Sequence, residues 1–139
     1  MVRRAASEAA DRGQSMKHTF LQVALGGALG SAARYGVNIL AGRLTPGFPL
    51  GTLSVNIAGC LAMGLLAALL AHRGGQHLAP FLLTGMLGGF TTFSAFALDT
   101  MTLWERGEIA TALGYVLGSV VLSLAAVIAG LTVGRGLFA

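Results

Sequence analysis

Between Gly85 and Phe96 the chain reads GMLGGFTTFSAF. Thr91, Thr92 and Ser94 bring hydroxyl donors, and Gly85, Gly88 and Gly89 bring a permissive backbone. They sit in a run apolar enough to cross a bilayer, where a plain membrane helix would carry leucine and valine. Backbone interrupted at membrane depth is tolerated only where it is buried in protein or lines a cavity. Helices broken near the midplane hold ion or substrate sites in transport proteins. The expected chemistry is therefore non-covalent: binding or passing a small ion within the membrane, around a break at Gly88 to Thr92.

Other polar residues lie in equally apolar surroundings. Asn56 offers an amide four residues after Thr52, on the same helix face. From position alone it either glues helices by an interhelical hydrogen bond or donates into a pore. Phe93 and Phe96 are three apart and share a face. Lipid contact or packing explains most such pairs, but an aromatic ring also has a positive edge that can face an anion. Tyr115, Ser119 and Ser123 recur at four-residue steps as a polar stripe, and Ser119 is expected to bond back to its own helix. Arg34 is costly in lipid, so it must snorkel or face water. Cys60 reads as a small packing residue. His18, His72 and His77 fall at membrane boundaries as solvated side chains. No metal-ligand cluster, phosphate loop or nucleophilic triad is present, and the loops leave no room for a soluble catalytic domain, so no enzyme is expected.

The elements that must hold these residues follow from charge. Only 10% of the 139 residues are charged, against about a quarter in soluble proteins. No charge occurs in the windows from Leu50 to Ala71, Leu78 to Leu98 or Ile109 to Val133. Each can span a hydrocarbon core that needs roughly 20 residues. A fourth window, Thr19 to Gly42, is interrupted by Arg34 alone. The expected fold is an all-α membrane protein of four transmembrane helices with a break in the third and both termini on one side. Pro46, Gly47 and Pro49 turn the chain into the second span, and Gly74 and Gly75 turn it into the third. Residues 1–16 are too poor in apolar side chains to fold alone and are expected to form a disordered tail, with 17–139 as the four-span transmembrane domain. Met16 before Lys17 would make a natural start, so the tail reads as an extension. The basic residues form no clustered face for nucleic acid.

Lys and Arg near the span ends set orientation. Lys17, Arg73 and Arg135 fall on one side, and Arg43 and Arg106, with Arg34 near, on the other. Leaving the tail aside, this near balance suits insertion in both orientations. Gly26, Gly30 and Arg34, and again Gly114 and Gly118, stand at four-residue steps that let helices approach closely, and an oligomer is expected.

Three clusters, GGALGSAARY (Gly26 to Tyr35), GTLSVNIAG (Gly51 to Gly59) and GMLGGFTTFSAF, resemble in order and spacing the Fluc (CrcB) family of fluoride channels. The resemblance covers about residues 17 to 135. It implies a dual-topology antiparallel homodimer in the inner (plasma) membrane, with two pores along the subunit interface and passive fluoride export from the cytoplasm. It implies that Asn56, Phe93 and Phe96 line the pore and favours pore roles for Tyr115 and Ser123, and Thr52, on the Asn56 face, and Ser94, beside the rings, are expected to line it with them. It places Arg34 at an aqueous vestibule. It implies a structural sodium ion (Na+) at the dimer centre, held by the backbone carbonyls of Gly88 and Thr91. Ala95 and Ala97 depart from the family's Thr and Ser, thinning the polar track. Asp99 takes a position that is commonly Glu, and a structural partner role is expected for it.

Two other readings compete. A small dual-topology exporter coupled to protons has this length and span number, but needs a carboxylate in the first span. Residues 17–41 contain none. A non-transporting assembly subunit leaves the hydroxyl-rich break unexplained.

Overall fold

The computed structural model describes the backbone of residues 2–138 and the side chains of residues 14–137. The described residues are mostly helical, with no strand among them. Helix α1 spans Val2–Leu44 and α2 spans Leu50–Arg73. Between them Gly47 adopts φ 92°, a left-handed value that glycine takes without a Cβ penalty. Helix α2 ends on Gly74, also left-handed at φ 68°, as helix C-termini commonly do. A 3-10 turn at Gln76–Leu78 leads into a π-helical stretch, Pro80–Leu87, and a single turn α3, Gly88–Phe90. After a break, α4 (Phe93–Glu105) and α5 (Ile109–Phe138) complete the chain.

Three segments are long and apolar enough to cross a membrane: α2, the broken stretch Gln76–Glu105, and α5. Helix α1 is not among them, because Gln22, Arg34, Asn38 and its glycines dilute its apolar content. At ~1.5 Å per residue, its 43 residues reach about twice the ~30 Å hydrocarbon core. Of the tail expected at 1–16, residues 2–16 continue α1, and the side chains up to Gly13 lie outside the described residues. Leu25, Leu29, Leu117, Leu122, Ile128 and Leu137 are all exposed. So much outward apolar surface would drive association in water and matches lipid instead. The chain is a multi-pass membrane protein.

Lipid supplies no hydrophobic drive between helices, so close backbone packing holds them. Helix α2 lies along α5, the most extensive pairing in the molecule. A Cβ on Gly64 would meet the backbone of Val127 and Leu131, and one on Gly130 the backbone of Leu61 and Leu65. Helix α1 packs on the π-helical stretch and α3 in the same way. Gly26 faces the backbone of Phe81 and Met86, Gly30 that of Met86 and Phe90, and Gly89 that of Gly27. In contrast, Gly114 and Gly118 meet nothing within 4 Å, so the second glycine step is open on the surface of the chain. Helix α4 stands apart, touching α5 and, more lightly, α2. Its inner face anchors a small core of Phe96, Leu103, Ala112 and Tyr115.

Candidate functional site

The site is built around two residues that leave the helix. Thr91 (φ −80°, ψ 156°) and Thr92 (φ −155°, ψ 121°) are extended. The break is therefore narrower than expected, because Gly88–Phe90 keeps one helical turn. Asn56 on α2 holds it open. Its Nδ2 donates to Thr92 O at 3.0 Å, and Thr92 N donates to Asn56 Oδ1 at 2.8 Å. One side-chain amide thus satisfies both backbone groups of an extended residue at membrane depth, where an unpaired group costs several kcal/mol. Thr92 Oγ1 then accepts from Ala95 N at 3.2 Å, capping α4, as N-cap threonines do.

These bonds release two carbonyls. In an unbroken helix Thr92 N would donate to Gly88 O, and Ala95 N to Thr91 O. Here the first donor goes to Asn56 and the second to the Thr92 hydroxyl. Gly88 O and Thr91 O both lose their helical partners. Thr91 itself stays tied to the preceding turn, its N and Oγ1 donating to Leu87 O at 3.0 and 2.9 Å.

Beside the break runs a groove of about 310 Å³ that brings together Asn56, Thr91, Thr92, Phe93, Phe96, Ser119 and Ser123. No charged side chain lines it. Asn56, Phe93, Phe96 and Ser123 thus meet as the sequence suggested. Cys60 also lines it, half-buried, rather than packing wholly inside. The Phe93 and Phe96 rings lie 5.4 Å apart. Phe93 is 78% exposed and Phe96 only 8%, so one ring projects from the chain and the other seals the base of the groove.

Thr52 and Tyr115 do not line the groove. Both are buried beneath it, with the Thr52 hydroxyl facing that of Tyr115. Tyr115 stacks against Phe96 at 5.4 Å, and its hydroxyl donates to Asp99 Oδ2 at 3.4 Å, which gives Asp99 the partner expected of it. Ser94 is exposed, its hydroxyl 3.2 Å from that of Thr92. Arg34 is half-buried on α1 and lines neither this groove nor the second cavity described below.

Sequence reasoning missed two contributors and misread a third. Thr92 is both clamp and cap, and its signal was a hydroxyl residue directly before an apolar helical run. Phe48, in the α1–α2 connection, stacks edge-on to Tyr115 at 5.9 Å and 85°, and no local pattern marks it. Ser119 does not bond back to its helix. Its Oγ is buried and has no hydrogen-bond partner among the described residues. A second cavity, of about 220 Å³, lies at the end of the bundle between the α1–α2 connection and α4, lined by Asp99, Thr102 and Arg106 among others.

Residues 21–131 match the family model described as CrcB-like protein, Camphor Resistance (CrcB). The chain belongs to the CrcB family. The match takes in the break, its Asn56 clamp and the groove. Curated relatives agree along nearly their whole length. The chain is similar to the "Fluoride-specific ion channel FluC" of Cereibacter sphaeroides (strain ATCC 17029 / ATH 2.4.9), 57% identical over 122 residues, covering 87% of this chain and 98% of that one. It is 52% identical over 119 residues to the protein of that name from Agrobacterium fabrum (strain C58 / ATCC 33970), covering 84% and 95%. To that from Ruegeria sp. (strain TM1040) it is 51% identical over 120 residues, covering 85% and 95%. What separates this CrcB chain from these relatives in length is a short stretch that the alignments leave uncovered.

Proposed function

We propose that this chain is a fluoride-selective channel that lets fluoride leave the cytoplasm passively across the inner membrane, and that it performs no covalent chemistry. The observation that carries this reading is the uncharged groove beside a helix break clamped by Asn56, in a chain 57% identical to a protein named as a fluoride-specific channel. Fluoride is small and strongly hydrated, so it moves only if donors replace its water. A full positive charge would hold it too long, since conduction needs sites that are favourable but escapable. An amide N–H beyond the one committed to Thr92, the Ser119 and Ser123 hydroxyls, and the edges of Phe93 and Phe96 supply neutral attraction. Tyr115, Thr52 and Ser94 support that path from its flanks.

The working unit is an antiparallel homodimer in which α1 forms a fourth crossing. A groove open on one side, with the Phe93 ring projecting from it, supports a partner that closes the wall. The near balance of Lys17, Arg73 and Arg135 against Arg43 and Arg106 supports dual topology. Arg34 stands toward an aqueous vestibule, where its charge would concentrate anions. The released carbonyls of Gly88 and Thr91 fit a hard monovalent cation. These two, from each subunit, would hold a structural sodium ion, which would pin the breaks together at the dimer centre. Residues 17–139 form the channel domain, and 1–16 remain outside it.

Purified protein in liposomes, followed with a fluoride electrode, tests the reading. Fast fluoride release with negligible chloride release is the expected result. Movement of a cationic dye on a proton gradient would replace it with a coupled exporter, and no flux of either would leave an assembly subunit.

A further inference from the structure

The second cavity lies where the α1–α2 connection meets the end of α4. Gly47, Phe48 and Pro49 form one wall, and Asp99, Thr102 and Arg106 the other. A stack of packed rings stands between it and the groove. Phe96 lines the groove, Phe48 lines the cavity, and Tyr115 stacks on both, at 5.4 and 5.9 Å. The Tyr115 hydroxyl ends on Asp99 Oδ2 at 3.4 Å, so a carboxylate stands at the cavity end of that stack. Alone it would repel an anion entering the cavity. Arg106 lines the same cavity and brings the opposite charge. Its Nη1 donates to Gly47 O at 3.4 Å, which fixes the side chain across the opening and uses one of its five N–H donors.

We propose that this cavity is one mouth of the conduction route and that Arg106 gathers fluoride there, offsetting Asp99. The inference rests on the channel reading above. A guanidinium at an exposed rim suits the task. It is weakly hydrated, and in open water its attraction is screened enough to let the ion go. The attraction raises the local anion concentration, so its effect fades as salt rises. A merely structural Arg106, bracing the connection through Gly47, would show no such fading.

The test is fluoride current through the reconstituted full chain, at low and high concentrations of an impermeant salt. Arg106→Gln is expected to lower the current at low salt by about threefold or more, with the deficit shrinking at high salt. Arg106→Lys is expected to keep the wild-type current and its salt dependence. Wild-type current from Arg106→Gln at low salt would overturn the proposal. So would an equal loss in both variants that salt does not alter, which would mark a brace. A wild-type chain that carries no fluoride would sink the channel reading itself, and this mouth with it.

Discussion

Asn56 answers the hardest demand on this fold, the satisfaction of an extended backbone residue inside a bilayer. Both ends of its amide are used on Thr92, which explains why an amide stands there and neither a carboxylate nor a hydroxyl. Thr92 in turn starts α4 by accepting from Ala95 N. Thr92→Val removes that cap but keeps the shape, and is expected to cost about 1 kcal/mol, read as a lowered midpoint of thermal unfolding in detergent. Phe93 projects from the subunit with little packing to lose. Phe93→Ile is therefore expected to keep the unfolding midpoint and slow fluoride efflux by about tenfold or more, because it removes a ring edge from the groove. Equal efflux in the variant and the parent would take Phe93 out of the pore.

Two close pairings hold the elements, α2 with α5 and α1 with the π-helical stretch, while α4 stands apart. Helices α2 and α5 approach through Gly64 and Gly130, where a Cβ would strike backbone, whereas Gly114 faces open space within the subunit. Gly64→Leu is expected to abolish the folded protein, seen as aggregation on size exclusion, while Gly114→Leu keeps the helical circular dichroism of the parent. The charge-free windows made the apolar elements legible, and the density of glycine and hydroxyls marked the break. Its limits were not legible, because glycine permits a break without demanding one. The demand comes from Asn56, 36 residues away, and no local pattern in 85–96 carries that. The π-helical stretch before it left no periodic signature. Thr52 shares a helix face with Asn56 but sits a turn away, about 6 Å along the axis, and that offset puts it beneath the groove. Ser119 was read as self-satisfied because serine in a helix commonly is. Its hydroxyl is instead buried, toward that of Tyr115.

At the scale of the whole molecule, the chain presents an uncharged groove open on one side, a projecting ring and two carbonyls without helical donors. A second copy in the opposite orientation would close the wall and set two breaks against each other. On the proposed antiparallel homodimer, conduction would be a property of the pair, and it would depend on the break staying open and neutral. Asn56→Asp tests both at once. It replaces the Nδ2 donor to Thr92 O with an acceptor and puts a negative charge beside the anion path. The decisive measurement is fluoride efflux from liposomes holding Asn56→Asp protein that elutes as a dimer, set beside the parent chain. The account predicts a fall of at least about a hundredfold, since an unmatched charge at low dielectric is worth several kcal/mol. Efflux at the parent rate from an intact dimer would contradict it.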